Sequence, residues 1–219
     1  MYHYIQDKDF QKRLKSTCAD IVNQLVQRIN KDSVMTVKAY LVGSGAKNLL
    51  TQNANNSIDL DYNVCILDTK SININNGRDI KEYIRKEFNS VLKANKWSDC
   101  KDSTSVLTTE ERVFKRGNKT AFRIDIAIVF ENNFGWHKLI YEKTGFAIYD
   151  RYYWNEIPDS KQLEEKVYAI KLNHLWNEVR NAYLEKKNLY LQKNDRTHPS
   201  FIVYIESVNQ VYYKYFKFA

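Results

Sequence analysis

The sequence predicts an α/β (α+β) protein, a mixed sheet flanked by helices and followed by a C-terminal helical region. Three observations predict it. Stretches whose apolar residues recur at helical spacing alternate with stretches of period two through the first part of the chain. The last part carries helical spacing alone, and 219 residues with 43% hydrophobic side chains suffice for a real core. The expected organisation is a sheet-bearing core over residues 1–157 and a helical region over 158–219 packed on it, with the seam near Pro158.

In chain order, Phe10, Leu14, Cys18, Ile21, Leu25 and Ile29 place an amphipathic helix from Asp7 to about Asn30. Val34 to Val42 reads as a strand ending in Gly43-Ser44-Gly45, with a short helix from Ala46 to Thr51. After a polar loop from Gln52 to Ser57, Ile58 to Leu67 alternates as a strand, and Asp79 to Lys96 returns to helical spacing. Ser105 to Thr109 and Glu111 to Lys115 are further strand candidates, and Gly117-Asn118 turns into a strand from Thr120 to Phe130. Lys138 to Tyr141 and Phe146 to Tyr149 form a predicted hairpin through Thr144-Gly145. One long helix is expected from Asp159 to about Lys193, and another is marked by Phe201, Tyr204, Ile205, Val208, Tyr212 and Phe216.

A formal charge of +8 favours anionic partners such as nucleotides or nucleic acid. Cys18, Cys65 and Cys100 are odd in number and widely spaced, which argues against a disulfide framework or a zinc site and for a reducing, cytoplasmic setting. No stretch approaches the ~20 apolar residues that span a bilayer, so no membrane partner is expected.

Chemistry enters with the acids. In Ile58-Asp59-Leu60-Asp61-Tyr62 a strand puts Asp59 and Asp61 on one face, where like charges repel unless a cation lies between them. Carboxylates are the ligands Mg²⁺ takes alongside phosphate oxygens and water, against the alternative of two solvated edge residues. Asp125 interrupts the apolar run Ile124 to Ile128; either it pairs with a lysine or with Arg123, two residues away on the same face, or it is a third metal ligand, which explains its position better. Gly43-Ser44-Gly45, between a strand and a helix, is either a plain turn or an anion site of free backbone N–H groups. Lys47 adds a charge there or is a surface lysine.

Taken together, Val42-Gly43-Ser44, then Asp59-Leu60-Asp61-Tyr62, then Ile124-Asp125-Ile126 resemble the signature of the nucleotidyltransferase superfamily. That superfamily includes DNA polymerase beta, aminoglycoside nucleotidyltransferases, CCA-adding enzymes and cyclic-oligonucleotide synthases. The resemblance covers about Val34 to Phe130, with a slightly long spacer at Asn53 to Ser57. It implies a nucleotidyltransferase sheet in which Asp59 and Asp61 bind two Mg²⁺ ions (Mn²⁺ being able to substitute) that grip an NTP, with Asp125 as third ligand and aid to deprotonation of the acceptor hydroxyl. Gly43 and Ser44 would hold the outer phosphates. Weaker similarity to the helical part of cyclic-oligonucleotide synthases assigns triphosphate contacts to Lys171 and Ser200. For Lys171 the other reading is a solvated helix face, and for Ser200 an N-cap after Pro199.

His174 reads as a core or boundary histidine, and Tyr149, Tyr152, Tyr153 and Trp154 as core packing rather than a base-stacking platform. The acceptor, whether small molecule, nucleotide, RNA end or protein, stays open. Two other classes compete with the transferase reading: a basic nucleotide- or nucleic-acid-binding module with a vestigial site, and a toxin–antitoxin component that modifies a partner. The transferase explains better why acids persist in a basic protein, because an acid repels phosphate unless a metal intervenes.

Overall fold

The computed structural model describes residues 1–158, 161–195 and 197–216. The chain runs β1 (Tyr2–Tyr4), α1 (Lys8–Lys31), β2 (Met35–Leu41), α2 (Gly43–Ala46), β3 (Thr51–Asn53), β4 (Ile58–Thr69), α3 (Gly77–Ala94) and β5 (Lys101–Asp102). It continues with β6 (Leu107–Thr108), β7 (Phe122–Asn132), β8 (Gly135–Glu142), β9 (Arg151–Glu156), α4 (Lys161–Leu172), α5 (Trp176–Gln192) and α6 (Ser200–Phe216). The main sheet has seven strands ordered β2-β4-β7-β6-β5, with β8 pairing the far end of β7 and β9 pairing β8. β4 and β7 are parallel and the other pairs antiparallel, so the sheet is mixed as expected.

Strand period two sorts the residues of β4 and β7 onto two faces. Ile58, Leu60, Tyr62 and Val64, with Phe122, Ile124, Ile126 and Ile128, are buried in the main core. The apolar stripes of α1 and α3, from Phe10 to Ile29 and from Ile80 to Leu92, join that core. Asp7 caps α1 by accepting from Phe10 N at 2.8 Å, and Asn76 caps α3 by accepting from Asp79 N at 3.2 Å. The opposite face of the central strands carries Asp59 and Asp61 on β4 and Arg123 and Asp125 on β7.

A second apolar cluster, built by Ile170, Val179, Tyr183, Val203, Tyr204, Val208 and Val211 of α4 to α6, also takes in Leu49. The next residue, Leu50, belongs to the main core, so adjacent leucines pin the helices to the segment that follows α2. β1 adds a further tie: Tyr4 Oη donates to Arg180 O at 2.7 Å and Asn188 Oδ1 accepts from Tyr2 N at 2.6 Å.

Several local expectations are corrected. α2 is a single turn that starts at Gly43 instead of Ala46, because Lys47 and Asn48 leave helical geometry and Thr51 enters β3. The two-stranded β1–β3 sheet escaped prediction since three-residue strands leave no periodicity to read. Glu111 to Lys115 makes only the bridge Arg112–Phe122, and β6 shrinks to two residues. The hairpin partner of β8 is Arg151–Glu156, and Phe146 to Tyr149 lie in the connection. There Asp150 acts as the organising acceptor, taking bonds from Tyr141 Oη at 2.6 Å and Thr144 N at 2.8 Å.

The aromatic cluster divides. Trp154 donates to Ile74 O at 2.8 Å and Tyr152 stacks on Tyr141, while Tyr149 and Tyr153 are exposed. The long helix is two helices, broken where His174 adopts φ 58°, and the expected start at Asp159 lies outside the described residues. His174 is exposed and closes α4, with Leu175 N bonded to Ile170 O at 3.0 Å. Such a left-handed closing position suits glycine. His174→Gly should therefore raise stability by about 0.5–1 kcal/mol, read as an increased urea midpoint at unchanged slope.

Candidate active site

Parallel pairing sets the centre of the site. The register places Asp59 beside Arg123 and Asp61 beside Asp125, so two carboxylates face each other across neighbouring strands. Asp61 is half-buried, and burial together with the charges of Asp125 and Asp59 pushes its carboxyl up to about 6. Asp125 is also raised, by burial first and by Asp59, against the opposing pull of Thr108, its register partner on β6. Its Oδ1 is buried without a hydrogen-bond partner. An orphaned oxygen costs about 1–3 kcal/mol, and a cation bound between Asp61 and Asp125 would remove both the orphan and the repulsion.

The residues therefore fit a divalent metal in donor type. They are not closed into a ligand cluster, and among the described residues no group of three carboxylate, imidazole or thiolate ligands converges on one point. Asp59 is engaged elsewhere, its Oδ1 accepting from Arg123 Nε at 2.9 Å. The sequence paired Arg123 with Asp125 as the structural alternative; the cross-strand register gives it to Asp59 instead. Both side chains are more than a third exposed, so the pair contributes only about 0.2–1 kcal/mol.

The turn beside the acids is built around missing side chains. Gly43 has φ 63°, and a Cβ there would lie 2.3 Å from Asp61 Oδ2; a Cβ on Gly45 would lie 2.7 Å from Leu60 Cδ2. Glycine lets the backbone lie directly against the carboxylate. Val42 N bonds Asp61 O at 2.8 Å and fixes the turn to β4. Because α2 is one turn long, the anion-binding argument rests on backbone proximity and on neighbouring lysines more than on a helix dipole.

Facing these elements is a cavity of about 730 Å³. Its lining includes Gly43, Ser44, Lys47, Asp59 and Asp61, and from the C-terminal helices Tyr183, Lys187, Ser200 and Tyr204. Lys47 reaches Gly43 O at 3.5 Å and lies over the Tyr204 ring. Burial lowers its pKa, which Asp61 partly offsets.

Ser200 opens α6, but its hydroxyl accepts from Lys187 Nζ at 3.3 Å, so it faces the cavity rather than acting as a plain cap. Lys171 is exposed over the Trp176 ring and does not line the cavity. Lys187 does, and the sequence reading missed it. Its signal was faint: in the run Glu185-Lys186-Lys187, only the four-residue spacing from buried Tyr183 distinguishes the lysine that turns inward. Burial drops its pKa to about 8, with Asp59 pulling the other way, and Thr51 Oγ1 accepts from it at 3.1 Å.

No family model matches the chain, and no curated protein matches it. Solved structures do. Escherichia coli MS115-1 CdnC with ATP superposes with TM-score 0.57 at 16% identity over 95% of this chain and 66% of that one. The chain shares that fold. Elizabethkingia meningoseptica CdnE cyclic dinucleotide synthase, solved with GTP and Apcpp, matches at TM-score 0.50 and 10% identity over 88% of this chain and 68% of that one. The Vibrio cholerae di-nucleotide cyclase DncV, in complex with GTP and 5MTHFGLU2, gives TM-score 0.53 and 10% identity over 80% and 48%. The chain thus spans about two thirds or less of the length of these structures. Among its described residues no helix is long and apolar enough to cross a membrane.

Lys187 and Gly43 offer separable tests. The unfolded chain holds the Lys187 proton to about 10.5 and the folded protein only to about 8, so the stability cost of burying the ammonium is present in full below pH 8 and fades as pH rises toward 10.5. Allowing for solvent screening, Lys187→Met should stabilise the protein at neutral pH by on the order of 1–2 kcal/mol, with the gain shrinking in alkaline melts. Gly43→Ala combines a strained φ with a clash against Asp61 and should cost about 1–3 kcal/mol in denaturant titrations.

Proposed function

We propose that the protein is a metal-dependent nucleotidyltransferase that moves a nucleoside monophosphate from an NTP to an acceptor hydroxyl and releases pyrophosphate. The observation that carries the proposal is the in-register pair Asp61–Asp125 beside the Gly43 turn, with a buried carboxylate oxygen left unpartnered. The fold shared with CdnC, CdnE and DncV supports it, as do the nucleotides named with those proteins.

In this reading Asp59, Asp61 and Asp125 hold two Mg²⁺ ions, for which Mn²⁺ can substitute. When bound, such ions neutralise phosphate charge and align the attacking and leaving oxygens. The protein's own groups do the rest. Gly43 and Ser44 bring backbone and hydroxyl donors against the outer phosphates, and Lys47 and Lys187 supply positive charge from two sides of the cavity. Ser200 directs the Lys187 ammonium through their hydrogen bond, and Tyr183 and Tyr204 close the wall behind the lysines. In this reading Asp125 also aids deprotonation of the acceptor hydroxyl. Lys171 would contribute long-range charge only, its field being felt at Lys47. Residues 1–157 would form the catalytic core and 158–219 the helical region that completes the triphosphate site. Three buried, unbridged thiols agree with a cytoplasmic setting.

Incubation with α-labelled NTPs, Mg²⁺ and a panel of acceptors tests the proposal. Wild type should transfer label and release pyrophosphate, and Asp61→Ala should lose at least ~10²-fold in rate. Turnover indifferent to Asp61→Ala and to chelation of Mg²⁺ would overturn it. Salt-dependent nucleic-acid binding that survives chelation, without turnover, would favour the binding-module reading instead.

A further inference from the structure

Lys187 is a cation held by neutral groups. Thr51 Oγ1 and Ser200 Oγ accept from its Nζ at 3.1 and 3.3 Å, and the Tyr2 ring lies beneath it, with Nζ 3.9 Å from the ring centroid. Among the described residues Lys187 makes no ion pair; the charge of Asp59 reaches it from across the cavity, and Asp59 is itself bonded to Arg123. A hydroxyl can bond either an ammonium or a neutral amine, because it both accepts and donates. A ring face attracts only the ammonium. The ring therefore favours the charged form without cancelling its charge, which stays available to an incoming anion.

The Tyr2 side chain is not what docks its strand. Asn188, next to Lys187 on α5, accepts from Tyr2 N at 2.6 Å and donates to Tyr2 O at 3.1 Å, both main-chain contacts. Tyr4, two residues on and on the same face of β1, supplies the side-chain anchor: its hydroxyl donates to Arg180 O, and its ring lies 3.9 Å from the Arg180 guanidinium. Tyr2 and Lys187 line the cavity, and Tyr4 and Arg180 do not. The pairing of β1 with β3, which sets Tyr4 opposite Thr51, brings ring and hydroxyl to the same ammonium. We propose that Tyr2 is a positioning residue whose ring face keeps Lys187 charged and directed into the cavity, so that β1, which carries none of the site's sequence signature, completes the wall that receives the triphosphate. The proposal rests on the nucleotidyltransferase reading and names the group that holds one of its phosphate-side cations.

The test is calorimetric binding of α,β-methylene-ATP with Mg²⁺ to the full chain, repeated across the neutral and alkaline range. Lys187 gives up its proton near pH 8 in the folded protein, so wild-type affinity should fall as pH rises through that value. Lys47, Asp59, Asp61, Glu111, Arg123 and the Tyr183 phenol share the cavity, and Asp195 and His198 line the smaller pocket behind Lys187. These groups are common to every variant, so the readout is each variant's affinity relative to wild type at the same pH. Tyr2→Leu should move the alkaline fall down by about 0.5–1 pH unit, leaving the analogue about two- to fivefold weaker than on wild type at pH 8. In mildly acidic buffer, where Lys187 is charged in both, the two should converge. Tyr2→Phe keeps the ring face and should follow wild type. In a Lys187→Met background Tyr2→Leu should change nothing further, because the tyrosine acts through the ammonium. A Tyr2→Leu deficit that is uniform across pH or persists in the Lys187→Met background would overturn the proposal, as would a Tyr2→Phe deficit equal to that of Tyr2→Leu. Wild type that fails to bind the analogue defeats the nucleotidyltransferase reading and the proposal with it, whereas analogue binding with an alkaline fall indifferent to Tyr2→Leu defeats only the role of Tyr2.

Discussion

Everything in the site hangs on the parallel pairing of β4 with β7. Nine consecutive residue pairs, from Ile58↔Phe122 to Ile66↔Phe130, share one register. Because the side-chain period is two, that register does two things at once. It buries Ile58, Leu60, Tyr62 and Val64 with Phe122, Ile124, Ile126 and Ile128 beneath α1 and α3, and it lines Asp59, Asp61, Arg123 and Asp125 along the opposite face. A slip of one residue would turn one strand over against the other and drive its two charged groups into the core, at several kcal/mol for each unpaired one. The hydrophobic effect thus fixes the position of the acids, and the acids add little to the stability that fixes them.

Their cost is local and visible. Burial raises the pKa of both Asp61 and Asp125, helped at Asp61 by the charges of Asp125 and Asp59 and at Asp125 by that of Asp59, and Asp125 Oδ1 lacks a partner. The surroundings do little to relieve this. Thr108 favours ionised Asp125 and Lys47 favours ionised Asp61, but Lys47 is itself penalised by burial. Lys187 shows the same pattern from the helical side. Opposed charges held at a distance across a cavity, each poorly solvated and imperfectly paired, are set for a ligand that carries both signs. That description fits a chelated triphosphate better than either a bare cation or a bare anion.

Much of this was legible in the sequence, and what was not had a physical reason. The helix from Phe10 to Ile29 and the strand with Asp59 and Asp61 declare themselves, because long elements repeat their period several times. The carboxylates and Gly43 could be found from local pattern, since an acid in an apolar run and a glycine after a strand are each locally costly. Arg123's partner could not, for spacing along β7 suggests Asp125 and only the pairing with β4 delivers Asp59. Lys187 was hidden for a related reason. A lysine on a helix is ordinary, and its burial depends on where β3 places Thr51 and where α6 begins at Ser200. Short elements such as β1 and β3 left no pattern at all, yet β1 carries the hydrogen bonds that seat α5.

The segment after the glycine turn brings the helical region to the acids. Leu49 and Leu50 follow the glycine turn by only a few residues and enter different cores, Leu49 that of the helices and Leu50 that of the sheet. Asn48, at φ 57°, makes the bend possible and gives its carbonyl to Arg180 of α5. Asparagine is one of the few side chains that tolerates such a backbone. The same segment that sets Gly43 against Asp61 therefore sets the distance from α5 to the sheet, and with it the reach of Lys187 across the cavity. A change at Leu49 would be felt at both walls of the site, although Leu49 touches neither the aspartates nor Lys187 through any polar contact. The turn and the two leucines connect the sheet's acids and the helices' lysine through one short segment.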